Sequence, residues 1–477
     1  MSSGRQPTIW MNVTTSAKWF RPAVGIVRVE KELRHNLAML YPEGQFKCCI
    51  WTGDGFAELG ATNEDLTLAE DLQKDDLPRQ IISQESHYLL PTLPKRRAVL
   101  SILQGFFSLS PIRLRPYIDR ALRRCKPKIA KHMRGISVWL DRRRSRGAVE
   151  DSLLRPQILE RGSDNPLVDS LSHPFSPGDV LISVGLDWDE GFYKSFYYLR
   201  TRENIKIVTC CYDLIPVLYP QYCVGEVAAL FTSYFLDVAE GSDLVLCISR
   251  QTQKDLLEML DRTGGRRVKT QVFYLGSNLP SNVGGVSTEV EGLITKPFIL
   301  YVSSIERRKN HEVLYRAYHL LCKEGKRDQL PILVFVGMQG WGVGDLLKDI
   351  ELDPMVKGLI VQLNHVNDAE LLKLYETAMF CVYPSLYEGW GLPVAEALSF
   401  GKVVLSSNKA SLPEVGGDLV AYLEPWDTSG WAEAIIRTAT NEESRKQMEA
   451  VIRERHVSRK WSDSARDVYT GIGELLK

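Results

Sequence analysis

Short, nearly uninterrupted apolar runs alternate along most of this chain with longer stretches whose apolar residues return every three or four positions. The first pattern reads as a strand buried on both faces, the second as an amphipathic helix. A strand is expected at 8–13, a loop at 14–23, a helix at 25–40 and a second strand at 46–52. After Pro177-Gly178 the rhythm resumes, with strands at 179–184, 205–212, 244–249 and 272–275 and helices at 188–202, 224–241 and from 251. The polar residues 281–295 read as a linker. A second series follows, with strands at 297–303, 332–337, 360–363, 379–383 and 403–406. Its helices fall at 311–324, 369–378, 393–400 and 431–438, before an amphipathic tail at 461–476. Strands alternating with helices imply parallel, doubly wound sheets whose ligands gather at the strands' C-terminal ends. The expectation is an α/β protein of two Rossmann-like domains, 1–285 and 286–455, with 456–477 as a terminal helix.

The pattern fails over residues 64–161, which read as an insertion in the first domain. Charge singles out the same region. Between Lys95 and Arg146 sixteen lysines and arginines stand against two acids, Asp119 and Asp141, in a chain with 59 residues of each sign. Formal neutrality therefore conceals one basic segment in an otherwise acidic protein. Ile118, Leu122, Ile129, Met133, Val138 and Leu140 interleave with the cations, as in a basic amphipathic helix. Two readings stand: contact with an anionic membrane surface through 95–146, or a helical hairpin with a solvated basic face. No recognised nucleic-acid module accompanies the segment, so nucleic acid is not an expected partner.

Nine cysteines are scattered without C-x-x-C spacing, several within apolar runs, as expected for reduced core thiols in a cytosolic protein. The start, Met-Ser-Ser-Gly-Arg, lacks a signal-peptide apolar region, and no run approaches the roughly 18 apolar residues of a membrane span. A cytoplasmic location is expected, peripheral at the inner face of the membrane if the basic insertion meets lipid.

Chemistry concentrates in residues 385–396, Ser-Leu-Tyr-Glu-Gly-Trp-Gly-Leu-Pro-Val-Ala-Glu. A buried-looking strand enters a loop with Gly389 and Gly391, and Pro393 then suits the first turn of a helix. Such a unit aims backbone N–H groups and a positive helix end at one spot, which suits a diphosphate or sugar hydroxyls. Two carboxylates, Glu388 and Glu396, frame it. Taken alone, the pattern also fits an ordinary strand-to-helix turn.

Glu-Gly-Trp-Gly-Leu-Pro-x-x-Glu-Ala resembles the Glu-x7-Glu signature of family 4 retaining glycosyltransferases, in particular a mannosyltransferase-like branch. The resemblance is dense over 177–477, thinner over 1–52 and absent from the insertion. It implies two Rossmann-like domains facing across a cleft (the GT-B architecture), with the terminal helix crossing back to the first domain. It also implies a nucleotide-sugar donor, a glycan or lipid-linked glycan acceptor, retention at the anomeric carbon, and neither cofactor nor metal. Glu388 is then expected beside the donor sugar, Glu396 at the ribose hydroxyls, and Gly389, Trp390, Gly391 and Leu392 around the sugar and phosphates.

Other phrases carry the same likeness. Arg308 and Lys309, in Ser-Ile-Glu-Arg-Arg-Lys-Asn, resemble the family's phosphate-binding loop, although Ser304 stands where many relatives have arginine. Clustered cations at a strand end can neutralise a leaving diphosphate. Val366 follows a strand in the loop that relatives lay along the nucleobase. Asp213, in Tyr-Asp-Leu-Ile-Pro, is expected at the cleft to orient or deprotonate an acceptor hydroxyl, or else to cap its loop; many relatives have His where Tyr212 stands. Gly25 and Arg28, in a Gly-Ile-x-Arg start, are candidates for a phosphate or acceptor contact, or else a helix cap and a solvated arginine. Ser249 opens a helix as its cap.

Rival readings rest on less. Asp187-Trp188-Asp189 after an apolar strand matches the Asp-x-Asp of metal-dependent glycosyltransferases, a short pattern common by chance. A dinucleotide oxidoreductase lacks its G-x-G-x-x-G after either domain's first strand. A non-catalytic membrane-associated scaffold would have no need of Glu388, Glu396 and Lys309.

Overall fold

The computed structural model describes residues 5–19, 25–59, 171–223, 227–279 and 285–477. The insertion expected at 64–161, with its basic segment 95–146, lies outside them.

In the first domain β1 (Ile9–Asn12), β2 (Phe46–Trp51), β3 (Phe56–Leu59), β4 (Val180–Ser183), β5 (Lys206–Cys211), β6 (Leu244–Cys247) and β7 (Lys269–Val272) form one sheet. Its order is β3-β2-β1-β4-β5-β6-β7, parallel throughout except for the β2–β3 pair. The second sheet holds β8 (Phe298–Val302), β9 (Ile332–Val336), β10 (Ile360–Leu363), β11 (Phe380–Tyr383), β12 (Val404–Ser407) and β13 (Ala421–Leu423). Its order is β10-β9-β8-β11-β12-β13, all parallel. Strands such as Val180-Leu-Ile-Ser and Phe380-Cys-Val-Tyr are buried along their whole length, because helices cover both sheet faces. This is the expected pair of Rossmann-like domains in the GT-B arrangement.

Strand order decides where a site can form. Each sheet reverses direction once, between β1 and β4 in the first and between β8 and β11 in the second. Loops leaving such neighbouring strands diverge to opposite faces and leave a crevice at the C-terminal edge. The β8 exit carries residues 303–310 and the β11 exit residues 384–391, so topology alone brings the Arg308-Lys309 loop beside the Glu388 loop.

The helix Trp461–Leu475 packs on the first domain. Trp461, Ala465, Val468 and Ile472 join the core of Ile9, Met11, Val29, Leu33 and Phe273. Ser464 Oγ donates to the Tyr274 carbonyl at 2.7 Å, and Tyr469 packs on Tyr41 with ring centroids 4.9 Å apart.

Several elements depart from the sequence reading. The helix expected at 188–202 is broken by Gly191, which adopts φ +72° between a turn of helix at Asp187–Glu190 and the helix Phe196–Thr201. The strand expected at 272–275 lies earlier, at Lys269–Val272. Phe273 and Leu275, just beyond it, are buried in the core that the sheet shares with the terminal helix. Part of the expected linker is the helix Thr288–Ile294, whose Val290 and Leu293 enter the second domain's core. β3, β13 and the helices Gly344–Leu352 and Glu442–Arg455 were not anticipated.

At Gly276 a Cβ would lie 2.6 Å from the Trp461 backbone nitrogen, so the terminal helix can seat only against glycine. Gly276→Ala is expected to lower stability by about 1–3 kcal/mol, the usual result of overfilling a packed contact. The shift in urea midpoint, together with faster proteolysis ahead of Trp461, measures it.

Candidate active site

The β8 exit loop is pinned before it reaches the crevice. Asn310 adopts φ +56°, and its amide donates to the carbonyls of Pro384 at 3.2 Å and Pro425 at 2.7 Å. Leu386 N–H donates to the Arg308 carbonyl at 2.9 Å, tying the two exit loops together. Lys309 Nζ then reaches Glu388 Oε1 at 2.7 Å, and Arg308 Nη1 reaches the same oxygen at 2.9 Å. Arg308 also donates to the Tyr387 carbonyl at 2.6 Å and lies 3.7 Å from Glu306. Lys309 donates to the Tyr383 hydroxyl at 3.3 Å.

All three charged side chains are nearly buried. Burial alone would raise the Glu388 pKa, but Arg308 and Lys309 outweigh it and bring it to about 2. Burial lowers the Lys309 pKa, with Glu388 opposing and Arg308 adding to the shift. Burial would likewise lower that of Arg308, but Glu388 and Glu306 raise it on balance. Glu388 is therefore an anion held by two cations.

Glu396 lies in the helix Leu392–Ser399 and is 5% exposed. Tyr375 donates to its Oε2 at 2.8 Å, and Arg28 Nη1 lies 3.5 Å from its Oε1. Arg28 comes from the first domain and also pairs with Asp368 at 2.9 Å. Burial raises the Glu396 pKa, against Arg28 and the Tyr375 hydrogen bond. Gly25, at φ +51°, caps Arg28's helix, Ile26–Ala38, and a Cβ there would meet nothing within 4 Å. Val366 sits half-buried two residues before Asp368. Sequence reasoning missed Asp368 and Tyr375, which flank Glu396 from a single neighbouring helix, Asp368–Thr377, and carry no local motif.

The two domains touch along the Glu388 loop. A Cβ on Gly389 would run into the Tyr212 carbonyl and lie 3.1 Å from Asp213 Cβ, so this glycine admits the other domain's backbone. Asp213 thereby stands beside Gly389, its pKa raised by burial and restrained by Arg308. One of its oxygens accepts Ile215 N–H at 3.0 Å, so it also caps its loop. Trp390 stacks on Tyr274 of the first domain at 4.9 Å, and Leu392 packs against the same core. Gly391, at φ +126°, has the Leu412 side chain where a Cβ would be. Ser249 caps its helix by accepting Thr252 N–H.

Asp187 and Asp189 do not converge. Asp187 is buried and accepts from Ser183 Oγ at 2.7 Å, with its pKa pushed up by burial to about 8. Asp189 is exposed.

A buried carboxylate thus lies between two cations at the strand-order reversal of the second of two abutting Rossmann-like domains. Residues 289–455 match the model of the family described as glycosyl transferases group 1. The second domain is therefore a group 1 glycosyltransferase domain, of the family 4 type. The chain is similar to the serotype-specific mannosyltransferase WbdA of Escherichia coli, 26% identical over 301 residues that cover 60% of this chain and 36% of WbdA. It is also similar to the O-antigen chain mannosyltransferase B of Escherichia coli, 29% identical over 252 residues, 52% of this chain and 65% of that protein. The match thus spans about a third of one relative and just under two thirds of the other. The fold is shared with the N-terminal domain of Candida albicans trehalose-6-phosphate phosphatase, at a TM-score of 0.59 and 14% identity over 100% of this chain and 98% of that one.

Acid tests the ion cluster. Glu388 has a folded pKa near 2, below the ordinary 4.5. Its contribution to stability is therefore complete above the ordinary value and is lost as pH falls towards 2. The stability advantage of the native protein over Glu388→Gln should shrink by roughly 2 kcal/mol between about pH 6 and about pH 3. Denaturant titrations of both proteins across that range measure it.

Proposed function

We propose that this protein is a retaining, metal-independent glycosyltransferase that moves a sugar from a nucleotide donor to a growing glycan. The observation that carries the proposal is the Arg308–Lys309–Glu388 cluster, set in a group 1 glycosyltransferase domain. When the donor enters, its diphosphate competes with Glu388 for the two cations, which follow the negative charge as the sugar–phosphate bond weakens. Glu388, released in part, fixes the sugar hydroxyls and stabilises positive charge on the ring. Glu396 exchanges its pairing with Arg28 for the ribose hydroxyls, and the Val366 backbone lies along the base. The acceptor hydroxyl, oriented by Asp213, attacks from the face the diphosphate leaves. The C1–phosphate oxygen bond breaks, the C1–acceptor oxygen bond forms, and the acceptor proton passes to a donor phosphate oxygen.

The mannosyltransferase relatives support mannose, with GDP-mannose as donor. Their O-antigen role supports a lipid-linked surface glycan, lipopolysaccharide O-antigen or capsule, as acceptor. Among the described residues no helix is long and apolar enough to cross a membrane. Attachment at the inner membrane face through 95–146 would bring the enzyme to such an acceptor.

A panel of nucleotide sugars, read by released nucleotide, identifies the donor, with GDP-mannose expected to turn over fastest. Glu388→Gln should then lose about a hundredfold or more in kcat. Turnover unaffected by that substitution would favour the non-catalytic scaffold.

A further inference from the structure

The helix Arg250–Thr263 of the first domain opens with amides its own turns cannot bond. Ser249 supplies two acceptors, its Oγ for Thr252 N–H at 2.9 Å and its carbonyl for Gln253 N–H at 3.0 Å. The amides of Arg250 and Gln251 are met from the other domain. Arg250 N–H donates to Glu414 Oε2 at 2.9 Å and Gln251 N–H to Glu414 Oε1 at 2.8 Å. A carboxylate in that position also faces the positive end of the helix.

The same helix holds the Glu388 loop. Thr252 Oγ1 lies 3.3 Å from the Gly389 carbonyl and 3.4 Å from that of Tyr212. Tyr387 donates its hydroxyl to Asp255, and Gln251 Nε2 holds the other Asp255 oxygen at 2.8 Å. From the second domain Ser411, three residues before Glu414, donates to the carbonyls of Glu388 at 2.9 Å and Trp390 at 2.7 Å. The segment bearing Ser411 and Glu414 and the helix bearing Thr252 and Asp255 thus grip one short loop from both domains.

We propose that Glu414 is a positioning residue: by closing on the Arg250 and Gln251 amides it locks the domains together and fixes the loop that presents Glu388. The contact stands on geometry alone; only its effect on turnover rests on the glycosyltransferase reading. Both Glu414 oxygens are engaged by backbone, so its role is to set the distance between the domains.

Hydrogen exchange on the full chain tests the contact directly, because Glu414 is what shields those two amides. In Glu414→Ala, exchange at Arg250 and Gln251 should quicken by about tenfold or more, while Thr252 and Gln253, bonded within the first domain, keep their protection. Trp390, stacked across the seam on Tyr274, should become more open to acrylamide, judged against the same variant carrying Trp390→Phe. Turnover should fall about tenfold with donor KM within about threefold, and Glu414→Gln, which keeps one accepting oxygen, should recover part of both exchange protection and turnover. Unchanged exchange at Arg250 and Gln251 would overturn the latch. Quickened exchange with unchanged Trp390 quenching and turnover would show a contact that positions nothing. Loss of protection at Thr252 and Gln253 as well would make Glu414 a support of the helix only. Should the native protein turn over no nucleotide sugar, the function reading fails while exchange and quenching still decide the latch.

Discussion

Two cations share one buried carboxylate oxygen, and much of the second domain serves to make that arrangement tolerable. Taking Arg308, Lys309 and Glu388 out of water costs several kcal/mol for each ion, offset only when the geometry is close and the remaining donors and acceptors find partners. The Tyr387 carbonyl, the Tyr383 hydroxyl and Glu306 provide those partners. Losing any one of the three ions strands the others, so the cluster acts as a unit. It also resolves an electrostatic difficulty. Two cations this close would repel each other when taken out of water, and Glu388 offsets that repulsion.

The parts of this site that local sequence could reveal are those fixed by neighbouring strands. Arg308, Lys309, Glu388 and Glu396 lie at or just beyond the exits of β8 and β11, and parallel order makes those exits adjacent whatever the rest of the chain does. Nearly every strand of the second domain was legible for the same reason, as apolar runs buried on two faces. Asp368, Tyr375, Thr252 and Asp255 were not legible. Their partners come from elements far off in the chain, and Arg28 and Asp368 are separated by 340 positions. No local periodicity encodes such a meeting. Gly191 was passed over because one left-handed residue can break a helix without disturbing its apolar spacing. Of the edge strands that escaped notice, β13 is only three residues long and β3, Phe-Ala-Glu-Leu, has a charge inside its apolar run.

The glycine loop shows how a motif can be found and still be incompletely understood. Its spacing marks a backbone that something must approach closely. At Gly389 the approaching group is the Tyr212 carbonyl of the other domain, and at Gly391 it is Leu412. Trp390 belongs to the first domain's core although its chain neighbours belong to the second. The loop that presents Glu388 is therefore shared property, and its shape depends on where both domains are.

The helix Trp461–Leu475 bears on how the molecule is made. It completes one face of the domain that begins at β1, supplying Trp461, Ala465, Val468 and Ile472 to a core whose other buried members, Trp390 apart, come from the first 275 residues. Domains emerging from a ribosome ordinarily fold in the order they are synthesised. Here the earlier domain waits with an uncovered apolar face until residues beyond 460 have been translated, so the later domain is free to finish first.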